Sequence, residues 1–264
     1  MDPAALMDLL GLSIGELERM ALILSRLTGL FLSAPFFSRN VGPMRVRVVI
    51  LLGLTFMIYP LTDPWPGEGS SSPMVVVAAG VAEVVIGAAL GMLVHWALVA
   101  VQVAGGVIGF SMGLSMAMVM DPTSGMQEGV LSNMLYMATL LLFLGVDGHH
   151  MLIEGLARSF HTLPLGAGIP EGRMMLEAAL VAMGQMFALS IMIAAPVLVA
   201  TKMLYFGMGL INRASPQIQV FFLAMPVAQL VGFVVLGLSM AVFAQVMIRE
   251  IDKFFSLSFR IVGL

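Results

Sequence analysis

The chain has 264 residues, 60% of them hydrophobic and only 10% charged, with a mean hydropathy of +1.04. A soluble domain carries about 25% charged side chains because its surface must be wetted, so this composition excludes an ordinary globule and describes an all-α, polytopic integral membrane protein. The net charge of −3, with no basic cluster, points away from nucleic acid as a partner, and the lack of cysteine excludes disulfide and thiolate chemistry.

The N-terminal stretch MDPAALMDLLG has Asp2 and Asp8 where a secretory signal would carry lysine or arginine, so no cleaved signal is expected. A crossing helix needs about 20 apolar residues. Leu17–Phe37 is the first such run, interrupted by Arg19 and Arg26, and Val48–Leu61 is a second that extends back over Met44. The Pro-, Gly- and Ser-rich stretch Thr62–Pro73 is a loop. Met74–Met120 contains one charge, Glu83, and one histidine, His95. It is too long for a single span, so a long helix followed by an irregular piece is expected. Val130–Val146 is a fourth apolar run, and the polar stretch Asp147–Arg173 divides an N-terminal part, 1–172, from a C-terminal part, 173–264. The last two runs, Met174–Leu210 and Ile218–Ile248, form a helical hairpin joined by NRASPQ. At that joint Asn212 is read as a left-handed C-terminal residue, Ser215 as an N-cap and Pro216 as the first helical position. Ser124 to Gln127 has capping-box spacing and starts a helix after Asp121-Pro122.

Charge places the loop holding Arg39, Arg45 and Arg47 in the cytoplasm, since no lysine or arginine follows from Val48 to Ala157. Six simple crossings would then put the C-terminus outside, yet Arg249, Lys253 and Arg260 draw it inward. Either one apolar run does not cross, or the protein is not a conventional row of spans.

The most unusual segment is GFSMGLSMAMVMDP, Gly109–Pro122. On a helix Gly105, Gly109 and Gly113 recur every four residues with Ala117, beside a row of Met112, Met116 and Met120. Small residues in a row admit a second helix backbone, and Gly87 and Gly91 repeat the pattern upstream. Ordinary helix packing accounts for Gly87 and Gly91. For Gly105–Pro122 two readings stand side by side: packed core, or a pliant plug. Glycine costs about 1 kcal/mol of helical order relative to alanine, and methionine fills irregular gaps and re-packs. Irregular backbone at membrane depth needs protein or a water-filled cavity around it.

Other candidates are weaker. DGHHMLIE places His150 and Glu154 on one helical face beside Asp147 and His149, but no second cluster completes a metal shell, and none is expected. Glu83, Arg19, Arg26, Lys202 and Arg213 lie in or at the ends of apolar runs, where pairing between helices or subunits, or snorkelling, is the bland explanation. There is no phosphate loop, nucleophile elbow or HExxH motif, so no enzyme and no cofactor is expected.

Four stretches in order carry a resemblance over nearly the whole chain: SAPFFSRNVGPMRVR, GFSMGLSMAMVMDPTSG, LLFLGVDGHHMLIEGLARSFHTLPLG and GLINRASPQIQVFFLAMPV. Together they resemble the FliR family of the flagellar type III export apparatus, which has relatives in virulence injectisomes. The resemblance implies long, partly broken helices and helical hairpins assembled in a helical, multi-subunit export gate at the flagellar basal body of the bacterial inner membrane. The partners implied are FliP and FliQ, with FlhB as a further one, besides unfolded export substrates in transit and membrane lipid. It also implies a FliP-like 1–172 and a FliQ-like 173–264, with apolar runs raised out of the bilayer and covered by other subunits. Plug residues carried over are Gly105, Gly106, Gly109, Phe110, Met112, Gly113, Met116, Asp121 and Pro122. The Asn212, Arg213, Pro216 and Gln217 turn is expected to serve assembly. The rival is a secondary transporter of a small solute or metal ion that uses Glu83, His95, His150 and Glu154.

Overall fold

The computed structural model describes residues 13–34, 43–67, 69, 72–114, 129–168, 172–214 and 220–261. Among these, regular structure is helical and no strand occurs. The helices are α1 (Ile14–Ser33), α2 (Met44–Ile58), α3 (Pro73–Ser111), α4 (Val130–Gly145), α5 (Gly148–Thr162), α6 (Gly172–Ala214) and α7 (Val220–Ile261), with a 3-10 turn at Tyr59–Leu61 after α2.

Local chemistry sets their ends. Ser13 caps α1 in a reciprocal box: Glu16 N–H donates to the Ser13 hydroxyl at 3.2 Å, and Ser13 N–H donates to the Glu16 carboxylate at 2.7 Å. Ala34 ends α1 in an extended conformation, as expected of the residue before Pro35. Pro73 opens α3, where a missing N–H costs nothing. At the other end of α3, Gly113 adopts φ +77. Its N–H donates to Phe110 O at 3.1 Å, and Leu114 N–H donates to Gly109 O at 2.9 Å. This is the Schellman pair of bonds, and its left-handed residue favours glycine. The α4–α5 junction bends by 64° at Asp147, whose φ is +56.

The sequence reading placed α1, α2, α4 and α6 correctly within a few residues of the described bounds. Two differences are informative. Asn212 is not a left-handed terminus, because α6 continues through it to Ala214 and Asp147 is the non-glycine residue with positive φ among those described. α7 runs past Ile248 to Ile261. The apolar run ends there, but Ile251, Phe254 and Phe255 are buried while Asp252 and Lys253 are exposed, so the helix continues as an amphipathic one. Ser124 to Gln127, Ser215 and Pro216 lie outside the described residues.

The described residues fall into two compact units that interleave in sequence. Unit 1 lies within Met1–His95, Asp147–Ala182 and Lys253–Leu264, and unit 2 within Trp96–Val146 and Met183–Asp252. In unit 1, α1 packs on α2 and the 3-10 turn and buries Leu22, Ile23, Leu27, Leu30 and Phe31. In unit 2, α6 buries Leu189, Ala194 and Val197, while α7 buries Ala224, Ala228, Leu236 and Phe243. These narrow seams leave most of each helix uncovered.

Five helical stretches among the described residues are long and apolar enough to cross a membrane: Met44–Leu61, Pro73–Met92, Val94–Ser111, Met175–Ala214 and Leu223–Leu257. The bent α4–α5 pair adds a sixth if it is one span. The chain is a polytopic membrane protein. α1 is absent from this set, since Glu16, Glu18, Arg19 and Arg26 interrupt it.

Candidate functional site

Unit 2 holds the described part of the expected plug. Gly105, Gly106, Gly109 and Phe110 stay inside regular α3 rather than in an irregular piece, because glycine here admits a neighbour. A β-carbon on Gly105 would lie 2.5 Å from Cα of Ser132 and 2.9 Å from its N, so α3 and α4 meet backbone to backbone. Gly109 is buried on the same side of α3, and Phe110 points out, 75% exposed. Met112 is fully buried. A β-carbon on Gly232 of α7 would fall 2.6 Å from Met112 Cγ and 2.7 Å from its Sδ. One on Gly113 would meet Met225 at 3.7 Å. The first methionine of the row is therefore core in this chain, and the outward side chain is the phenylalanine two residues earlier. Met116, Asp121 and Pro122 lie outside the described residues, as do Pro216 and Gln217. Asn212 and Arg213 are exposed in the last turn of α6.

Unit 1 contains a buried polar cluster that sequence spacing did not bring together. Arg26 of α1 and Glu83 of α3 are 0% and 1% exposed and form an ion pair through Arg26 Nε and Glu83 Oε2. Arg26 Nη1 donates to Ser159 Oγ of α5 at 3.1 Å, and Nη2 donates to Leu163 O at 2.9 Å. The guanidinium also lies over the Phe160 ring, 4.2 Å from its centre. The other Glu83 oxygen, Oε1, accepts Gly166 N–H at 3.1 Å. Gly166 has φ +76 and lies against Trp65, where a β-carbon would come within 2.8 Å of the ring. Both charges are thus matched by neutral donors and acceptors as well as by each other, the condition under which a buried pair is tolerable.

Glycine permits this approach. A β-carbon on Gly87 would overlap the carbonyl oxygen of Arg26, and one on Gly29 would overlap that of Val84. One on Gly91 would sit 2.9 Å from Leu30 O. Gly87 and Gly91 are the small-residue packing pair that their spacing suggested.

The remaining charges behave as pairing partners or lie on the surface. Arg19 donates to Thr62 Oγ1 and Tyr59 O, each at 3.1 Å, and covers the Tyr59 ring. Glu154 accepts from Arg158 at 2.6 Å on an exposed face of α5. Lys202 is exposed on α6. Asp147, His149 and His150 bring one ligand atom each within 4.8 Å of one another. His150 and Asp147 are already paired at 3.2 Å and are 71% and 73% exposed. Of the transporter's coupling groups, Glu83 has both oxygens engaged in the buried cluster, whereas His150 and Glu154 face outward.

Glycine-mediated backbone crossings, a saturated buried ion pair and long apolar helices define a helical membrane component without a catalytic constellation among the described residues. Comparison with known proteins sharpens the class. Residues 17–254 match the family "Bacterial export proteins, family 1". The flagellar biosynthetic protein FliR of Escherichia coli (strain K12) is 34% identical over 221 residues, 84% of each chain. FliR of Bacillus subtilis (strain 168) is 28% identical over 84% of this chain and 85% of its own. FliR of Aquifex aeolicus (strain VF5) is 26% identical over 87% and 88%. The chain belongs to the FliR family of bacterial flagellar export proteins.

Proposed function

We propose that this protein is a core subunit of the flagellar type III protein export gate. It forms, with FliP and FliQ, a closed protein-conducting pore for unfolded flagellar substrates. The gate sits in the bacterial inner membrane at the flagellar basal body, with FlhB as a further partner. The 1–172 part plays the FliP-like role and 173–264 the FliQ-like one, and the segment 105–122 is the plug. Energy comes from partner components.

The observation that carries the assembly reading is the length of uncovered apolar helix. On the part of α6 that lies in unit 2, exposed large apolar side chains run from Met183 (41%) to Ile211 (50%). At 1.5 Å per residue this is roughly 42 Å of helix, against about 30 Å of hydrocarbon. A straight helix would fit only at a tilt of about 45°, beyond the usual range of about 0–40°. Lys202, also exposed, falls inside that stretch between Val199 and Met203, where lipid is a poor neighbour for an ammonium group. Other protein chains are the cover that suits both facts. They also explain why a simple count of crossings fails to match the charge distribution.

The test is mild detergent extraction followed by identification of what co-purifies. Several copies of two small helical membrane proteins are expected. Recovery of a well-behaved monomer that moves a small solute would overturn the proposal. The plug is tested separately by deleting Gly109–Met116 and measuring small-ion leak. A rise in leak is expected, and unchanged leak with unchanged secretion would remove the plug from the account.

A further inference from the structure

We propose that Met112 and Gly232 are positioning residues for the plug: the Met112 side chain, seated in the notch that Gly232 leaves on α7, fixes where the end of α3 lies. This rests on the plug reading and adds to it the part of the chain that holds the plug in register.

Three observations converge. Met112 is the last residue before the left-handed Gly113, at the point where α3 stops, so its position sets the direction of whatever follows. It is 0% exposed, although Phe110, two residues earlier, is 75% exposed. Its Cγ, Sδ and Cε all come within 2.6–2.7 Å of where a β-carbon on Gly232 would stand, so nearly the whole side chain lies along that one glycine. The three heavy atoms nearest to that position all belong to Met112, so the space belongs to the thioether. Met225, about two turns earlier on α7, flanks Gly113, where a β-carbon would meet it at 3.7 Å. The α3 terminus is thus gripped from α7 on two successive residues. About two turns earlier on the same helix, Gly105 lies against the backbone of Ser132 of α4. A methionine suits this place because it packs closely yet allows the contact to form over a range of backbone positions.

An alanine at 232 could be met by a swing of the flexible Met112 chain, so the test uses valine. In the full complex, Gly232→Val is expected to raise small-ion leak several-fold while co-purification of the partner subunits is unchanged. Adding Met112→Ala, which vacates the notch, is expected to bring the leak back towards the parental value. A purely structural role would lower the amount of assembled complex and would not be rescued in this way. If deletion of Gly109–Met116 leaks but Gly232→Val does not, the positioning role is overturned and the plug stands. If the deletion itself does not leak, the plug reading fails, and the proposal with it.

The chain has no cysteine, which permits a second, independent measurement. The β-carbons of residues 112 and 232 would lie within about 4 Å, inside the range that a disulfide spans. The Met112→Cys/Gly232→Cys double variant is expected to cross-link in the assembled complex, with low leak and with secretion retained. Absence of the cross-link in assembled complex, or a block of secretion that reduction relieves, overturns the assignment, since either result means that residue 112 does not stay at residue 232.

Discussion

The two glycine-mediated crossings along α3 solve the same packing problem with opposite chemistry. In unit 1, Gly87 lets α3 meet the α1 backbone at Arg26, and the gap around the contact is filled by a guanidinium, a carboxylate and four neutral groups with fixed geometry. In unit 2, Gly105 lets α3 meet the α4 backbone at Ser132, and the neighbouring gap at Gly232 is filled by a thioether. A saturated ion pair has one satisfactory arrangement and a large penalty for others. A thioether has several arrangements of similar energy. The first crossing is built to be unique and the second to be adjustable. Under the proposed plug reading, that difference suits a rigid support in one unit and an element near a gate in the other.

The largest expected effect comes from breaking the first crossing's polar match. Glu83→Leu leaves the Arg26 guanidinium buried without its counter-charge, a loss of about 3–5 kcal/mol for an uncompensated ion. Little assembled protein should be recovered from membranes. Arg26→Leu combined with Glu83→Leu removes both charges and should restore much of the yield. Equal loss in the single and double variants would show that the contribution is not mutual pairing. The corresponding change in the second crossing, Met112→Ala, should leave assembly largely intact, because no charge is stranded.

Next come the glycines themselves. Gly105→Ala places a methyl group 2.5 Å from a backbone atom that cannot rotate away, and overpacking of this kind costs about 1–3 kcal/mol. Gly87→Ala should cost more, since its methyl would overlap a carbonyl oxygen and strain the Arg26 cluster with it. The midpoints for heat-induced loss of the detergent-solubilised complex should fall in that order. The reverse order would show that α4 is held more firmly than the polar cluster. A smaller loss is expected for Gly113→Ala, about 1–2 kcal/mol for a β-carbon in left-handed backbone. Asparagine at the same site should recover part of it.

Much of this architecture was legible in the residues. Apolar runs and Pro, Gly and Ser breaks located the helices, and four-residue spacing identified Gly87 and Gly91 as a contact face. Arg26 and Glu83 stood out as charges in apolar surroundings, but nothing in their sequence identified each as the other's partner. They are 57 residues apart, and the groups completing the cluster come from α5 and the turn after it, so the match exists only after three segments have packed. Met112 shows a different limit. In a helix that is apolar on every face, periodicity does not distinguish a core side chain from one facing a lumen, and burial had to come from the fold. Gly113 was read as one more small residue in a packing row, although its position at the end of the helical run is also where a C-terminal glycine is expected. Ser13 and Glu16 were a readable signal left unused, since S-x-x-E ahead of an apolar run is a helix start.

That pair gives the smallest effect and a clean sign. Glu16 is half-buried and lies outside the stretches long enough to span a membrane. The Ser13 backbone N–H, then its hydroxyl, hold the Glu16 carboxyl below the usual carboxylate range, with smaller help from Tyr59 and Arg19. Because the folded state favours the ionised form, the stabilisation is fully present above the ordinary carboxylate value and fades as pH falls through the lowered one. Amide exchange in the first turn of α1 should therefore accelerate, after correction for intrinsic rates, only at distinctly acidic pH. Glu16→Gln should remove that acid-dependent component and leave the Arg26–Glu83 crossing unaffected. An equal change in protection at Arg26 would mean that the start of α1 and its buried charge unfold as one piece, and the contrast between a fraying cap and a rigid crossing would be lost.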